Sequence, residues 1–201
     1  MRKKIYATDG LFSLVPLTEA DKDNYINLRR QITDSPQFYS TPEKVEIMWR
    51  AMTEVEDVNY SIFDQDGEYC GNVILQNPKS DTPEIGVDLL ESKRNQGIAA
   101  RAIKILARQV YQELDVEYFL LRVSSCNSHS KHMIEKLGAV FIGEEEGEFA
   151  RTIRTMREAL GEEMFAKMVE RVPGLLDKSD AEKEEVVYRY QLTPNLFKEY
   201  P

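Results

Sequence analysis

Apolar positions along the chain switch between two periods, and the switches mark out the elements. Residues 11–17, LFSLVPL, are apolar enough for a first strand, and Thr18 followed by Glu19 and Asp21 marks a helix start. Tyr25, Leu28 and Ile32 then recur at helical spacing. Ser40-Thr41-Pro42-Glu43 is a second start, a cap residue with proline in the first turn, and Val45, Met48, Trp49 and Met52 give that helix its apolar face. Two strand-like runs, 59–65 and 69–77, flank Asp66-Gly67, a strong hairpin signal. In EIGVDLL, residues 84–90, alternation sets Ile85, Val87 and Leu89 on one face and Glu84 and Asp88 on the other.

The turn ESKRNQG leads into a helix predicted from Ile98 to about Leu114. Its buried stripe is Ala99, Ala102, Ile103, Leu106, Val110 and Leu114, with Arg101, Lys104 and Arg108 outward. Residues 116–124, VEYFLLRVS, read as a strand buried on both faces, so strand, helix and strand make a βαβ unit with parallel strands. A short helix from Asn127 to about Leu137 stops at Gly138, and strands follow at 140–144 and 186–192. About forty residues separate those last strands. There Phe149, Ile153, Met156, Leu160, Met164, Met168 and Val172 recur every three to four positions. One or two amphipathic helices therefore fill a segment of about 146–185, broken at Gly161 and ending in Pro173-Gly174 and a charged connector.

Composition narrows the partners. At 201 residues the chain fits one domain, and 42% hydrophobic with 30% charged residues is ordinary for a globular protein. Twenty-six Lys and Arg against 35 Asp and Glu leave a net charge of −9. That balance argues against broad binding to nucleic acid or anionic membranes, which needs an excess of cations. No apolar run approaches the roughly 18 residues of a membrane span, and MRKKIYATDGLF lacks a signal-peptide core, so a cytoplasmic protein is expected. Cys70 and Cys126 form no CxxC pattern, and Cys126 is expected to be a small buried thiol. His129, His132 and Glu135 share helical spacing without a further ligand, so they are expected as surface residues with no metal.

The chemistry concentrates in Arg94-Asn95-Gln96-Gly97-Ile98-Ala99, where a strand gives way to a long helix. The first N–H groups of a helix have no internal acceptors, and the helix dipole adds partial positive charge there. Gly97 and the small Ala99 and Ala100 let an anion approach that backbone, with Arg94 as countercharge. The motif is neither GxxxxGK[ST] nor GxGxxG. RxxGxA after a strand, a helix of about sixteen residues, a buried strand, Asn127-Ser128-His129-Ser130 and then KHMIEKLGA (131–139) resembles the Gcn5-related N-acetyltransferase (GNAT) family. EIGVDLL is similar to that family's fourth strand, and the N-x-x-S form with the IEKLGA ending is most similar to the branch that acetylates ribosomal-protein N-termini. The resemblance covers roughly residues 10–144 and the final strand.

That resemblance implies an α/β GNAT fold over 1–201. It has a mixed central sheet, a splayed parallel strand pair, flanking helices and a helical insert (about 146–185) before the last strand. Acetyl-CoA is the implied cosubstrate. By that resemblance, backbone at Asp88, Leu89 and Leu90 pairs with the pantetheine, the pyrophosphate sits on the amides of Gln96, Gly97, Ile98, Ala99 and Ala100, Arg94, Arg101 or Lys104 reaches the outer phosphates, and Asn95 belongs to the same cofactor-binding turn. Asn127 holds the pantetheine arm, and Ser130 lies close to the thioester sulfur. Glu84 matches the fourth-strand glutamate that serves as base in parts of the family, with Asp88 in reserve. The family's frequent tyrosine acid is replaced by Ile134, which leaves Ser130, with Tyr188 and Tyr190 as further donors. The implied activity is acetyl transfer to a primary amine, first a protein or peptide N-terminal α-amine. A polyamine, an aminoglycoside or a lysine side chain, and a non-catalytic acetyl-CoA sensor, remain alternatives. The insert serves as a lid, or in packing and a homodimer contact through its Met-rich stripe.

Overall fold

The computed structural model describes residues 6–33, 36–54, 56–171 and 186–193. The chain forms two compact units, one running to Leu121 and resumed at Leu192, the other spanning Arg122–Gln191.

In the first unit, β1 (Ala7–Thr8), β2 (Phe12–Pro16), β3 (Val58–Asp64), β4 (Tyr69–Gln76) and β5 (Glu84–Leu89) join antiparallel in chain order. β6 (Phe119–Ser124) is parallel to β5. Period-two alternation gives the sheet two different faces. Leu14, Ile62 and Val73 are fully buried on the face covered by α3 (Ile98–Glu113), whose Arg101 lies over the Phe12 ring. Each such side chain contributes about 1.5–3 kcal/mol on burial. α3 buries Ala102, Ile103, Leu106 and Val110 as its spacing predicts, whereas Leu114 lies just past the helix end and is exposed.

The other face meets α1 (Lys22–Ile32), which in turn packs on α2 (Pro42–Thr53). Tyr25, Ile26, Tyr39 and Trp49 form its core with Leu17, Val45, Met48 and Met52, and Tyr25 meets Trp49 edge-on at 5.7 Å between ring centroids. Both predicted starts are present. Thr18 donates its backbone N–H and hydroxyl to Asp21 Oδ2, and the Thr41 side chain accepts from the Lys44 N–H.

The second unit contains the end of β6, α4 (Ser128–Lys136), β7 (Val140–Glu146), α5 (Glu148–Leu160), α6 (Glu162–Arg171) and β8 (Val186–Leu192). β8 lies between β6 and β7 in strand order and runs antiparallel to β7. Gly161, at φ +73°, separates α5 from α6. Pro173-Gly174 and the charged connector lie outside the described residues. One strand differs from its sequence reading. β6 alternates, with Phe119, Leu121 and Val123 buried but Arg122 outward and paired with Glu145, so only one face is dry.

Candidate functional site

β5 is held firmly on one edge and sparsely on the other. Six consecutive residues pair with β4, from Gln76 opposite Glu84 to Gly71 opposite Leu89. Its parallel pairing with β6 is a single register pair, Glu84 with Leu120, supported by Leu120 N–H to Pro83 O at 2.9 Å. Beyond Glu84 that edge of β5 has no recorded strand partner among the described residues, the splayed arrangement in which an extended ligand can add itself as a strand. Asp88 and Leu89 lie on this stretch, and Leu90 follows with its N–H bonded to Cys70 O at 3.1 Å.

Gly71 makes that geometry possible. A Cβ placed there would lie 2.1 Å from the Asp88 carbonyl oxygen and 2.9 Å from the Leu89 Cα. Only glycine lets β4 come this close. An isolated glycine inside the strand pattern YCGNVILQN is the signal that points to it.

The turn after β5 leads straight into the N-terminus of α3. Asn95 (φ +60°) and Gly97 (φ +76°) have left-handed backbone. Gly97 caps α3, and the space where its Cβ would be is open. Arg94, Asn95, Gln96 and Gly97 are exposed, Ile98 is buried beneath them, and Ala99 and Ala100 are half-buried. The turn is braced from several directions. Gln96 Nε2 donates to Ser92 O at 2.8 Å, Arg94 Nε to Leu89 O at 3.4 Å, and the Glu91 N–H to Gln31 Oε1 at 3.2 Å. Lys93 Nζ reaches back to the β3–β4 hairpin, 3.1 Å from Asp64 Oδ2 and 2.6 Å from Glu68 Oε2. These carboxylates hold the lysine strongly in its charged form. Arg101 is in an ion pair with Asp9 at 2.8 Å, whereas Lys104 is exposed. The backbone thus fits a pyrophosphate at Arg94–Ala100, as acetyl-CoA requires.

On the α1 face a polar row crosses the sheet, with Ser61 opposite Asn72 and Asn72 opposite Asp88. Asn72 is buried, its Oδ1 accepts from the Tyr69 hydroxyl, and its Nδ2 has no partner among the described residues. Arg29 Nη1 on α1 donates to Asp88 Oδ2 at 3.1 Å. The Asp88 side chain is 46% exposed and that of Arg29 29%. Desolvation pushes the Asp88 carboxyl above the usual carboxylate range, against the opposing pull of Arg29 and Arg94. Tyr25 nearby is pushed up to about 12 by burial. Arg29, Asn72 and Lys93 carry no motif, so sequence reasoning missed them. Glu84 begins β5, half-buried, at the one point where β5 and β6 pair.

The second unit carries the other two expected residues. Asn127 caps α4, its Oδ1 accepting from the Ser130 N–H at 3.0 Å. Ser130 is half-buried. Ile134, at the position of the absent tyrosine, is buried. Tyr190 is buried and donates to Glu135 Oε1 at 3.1 Å, and burial with that bond pushes its hydroxyl up to about 12. Tyr188 lies half-buried under Lys131 Nζ. Cys126 is exposed rather than buried, because it falls in the turn between β6 and α4, past the last apolar residue of the strand. Among the described residues no cluster of His, Cys, Asp or Glu could hold a metal ion, and no helix is long and apolar enough to cross a membrane.

None of the curated proteins matches the chain in sequence. Solved structures do match in shape. A chimera of spermidine N-acetyltransferase SpeG from Vibrio cholerae and hSSAT superposes with a TM-score of 0.67 at 16% identity, covering 94% of this chain and 99% of that one. The dodecameric spermidine N-acetyltransferase from Vibrio cholerae gives 0.65 at 17% identity, covering 95% and 98%. At such identities the likeness is one of fold. The model of the acetyltransferase (GNAT) domain matches residues 12–140, which include β5, the turn after it, α3 and α4. The chain belongs to the GNAT acetyltransferase family.

Proposed function

We propose that the protein transfers the acetyl group of acetyl-CoA to the α-amine of a protein or peptide N-terminus, as a single domain carrying its helical insert between β7 and β8. The observation that carries acetyl-CoA binding is the free edge of β5 running into the left-handed turn at Asn95–Gly97. Backbone at Asp88–Leu90 takes the pantetheine amides, the turn Arg94–Ala100 takes the pyrophosphate, and Asn127 steadies the arm through its side-chain amide. β5 supplies two carboxylates able to accept the ammonium proton, Glu84 and Asp88, and the Ser130 hydroxyl serves the departing thiolate. The α-amine rests on the N-x-x-S and IEKLGA motifs. A polyamine acceptor is the second reading, favoured by the spermidine N-acetyltransferases of similar fold and by the net charge of −9, which draws in polycations.

Thiol release from acetyl-CoA, measured across short peptides with free N-termini and a polyamine panel, tests the proposal. Higher kcat/KM on peptides supports the α-amine, and the reverse order supports the polyamine. Acetyl-CoA binding by calorimetry with no turnover on any amine would leave a sensor module in place of an enzyme.

A further inference from the structure

We propose that Asp88 is the catalytic carboxylate that takes the proton from the incoming amine, and that Arg29 is its positioning residue. The inference rests on the acetyltransferase reading above and deepens it. Three observations within the first unit carry it. The first is place. Asp88 lies on the stretch of β5 that has left β6, next to Leu89 and Leu90 and six positions before Arg94, whereas Glu84 stands at the paired start of the strand. At about 3.3 Å per residue the two carboxylates are separated by roughly 13 Å of strand. The reacting amine can reach one of them.

The second observation is access. The Asp88 side chain is half exposed, although its neighbours across the row, Asn72 and Ser61, are buried. Its Oδ2 is occupied by Arg29, and no partner is recorded for Oδ1 among the described residues. The third is cost. An arginine and an aspartate this exposed gain little from pairing, because water screens their attraction, so the pair is poor stabilisation. Arg29 spans from α1 to β5 and holds the carboxylate, with the buried Asn72 opposite it in the β4 register. Such a site tunes a carboxylate for proton transfer.

The groups acting on Asp88 are Arg29 and Tyr25 from α1, Arg94 from the turn, and Tyr69 from β4. Ionised Asp88 takes a proton from the ammonium. The freed nitrogen lone pair attacks the thioester carbonyl, the C–N bond forms and the C–S bond breaks. The sulfur leaves with the bonding pair and takes up the second proton lost by the nitrogen to become the thiol, and Asp88 returns its own proton to solvent. The net products are the acetylated amine, coenzyme A and one proton.

The test compares D88N, R29M, R29K and E84Q with the wild-type chain across pH on the best amine of the panel. Calorimetric acetyl-CoA affinity is measured for each variant. Wild-type turnover is the control, since its absence fails the enzyme reading and not this inference. D88N is expected to lower kcat by about 10²-fold or more and to erase the acid limb of its pH profile, with acetyl-CoA affinity within about threefold of wild type. R29M removes the cation that favours the ionised carboxylate, so the limb moves to higher pH, and R29K restores most of the shift. The inference is overturned if the limb survives D88N and disappears in E84Q. It is equally overturned if R29M lowers kcat with the limb in its wild-type position, because that outcome is a structural role alone.

Discussion

Replacing Gly71 with alanine strikes the backbone of β5 at Asp88 and Leu89 without removing any side chain of the proposed chemistry. The new Cβ would meet the Asp88 carbonyl oxygen at 2.1 Å and the Leu89 Cα at 2.9 Å, both backbone atoms that no rotamer change can move. Restoring ordinary contact, about 3.5 Å, drives the end of β5 outward by roughly 1 Å or more. Overpacking of this kind costs about 1–3 kcal/mol, and loss of the Leu90 N–H to Cys70 O bond adds about 1 kcal/mol. The expected loss is thus about 2–4 kcal/mol. A displacement of that size in the strand proposed to pair with the pantetheine should also lower kcat/KM by about 10²-fold. Gly86→Ala is the matched comparison. Its Cβ meets only the Ile74 Cγ2 at 3.0 Å, a side-chain methyl that can turn away, so its cost should stay below about 1.5 kcal/mol. Urea unfolding followed through Trp49, the single tryptophan, measures both. A G71A protein with the wild-type midpoint and wild-type acetyl-CoA affinity would refute the reasoning.

Gly97→Ala has open space for its Cβ but must hold φ at +76°, so it should cost about 1–2 kcal/mol in stability while weakening acetyl-CoA binding in calorimetry more than a comparably destabilising change elsewhere. Lys93→Met leaves Asp64 and Glu68 uncompensated beside a turn that receives a polyanion, so acetyl-CoA affinity should fall and its salt dependence should weaken. The same variant has a pH signature. Backbone N–H donors and Lys93 hold the folded Asp64 carboxyl below its ordinary value, against the desolvation that raises it. The stability this gives is present above the unfolded carboxylate range, near 3.9, and is lost as pH falls through the lower folded value. Removing Lys93 should therefore move the acid-unfolding midpoint to higher pH, measured by Trp49 fluorescence, and an unmoved midpoint would count against the pair. Tyr190→Phe deletes a buried hydroxyl bonded to Glu135 and should cost roughly 1 kcal/mol in a thermal melt.

The half of the site proposed to receive acetyl-CoA is local in sequence, and for that reason its strand, turn and helix could be read from the chain. A strand ending at Leu89, a left-handed glycine at 97 and a helix beginning at Ile98 need only φ preferences, capping and alternation to be recognised. The hairpin at Asp66-Gly67 and the proline-started α2 were legible for the same reason. β6 was misjudged because a run of apolar letters cannot tell which side of a strand is covered, and Arg122 finds Glu145 more than twenty residues later. Arg29 and Asp88 are 59 residues apart, and their meeting depends on how α1 is rotated over the sheet. Lys93 finds Asp64 only because β3 and β4 hold the hairpin in register despite the slip between Ile62 and Phe63. The two halves of the proposed reaction are thus written at different ranges. Anion binding needs backbone placed by short-range rules, and many acceptors can share it. Choice of amine needs side chains brought together from separate elements, as Arg29, Asn72 and Asp88 are here. A chain can keep the first while replacing the second. That is why the motifs led to the GNAT family and its cosubstrate, while the polar row under β5 is where the acceptor and its proton have to be sought.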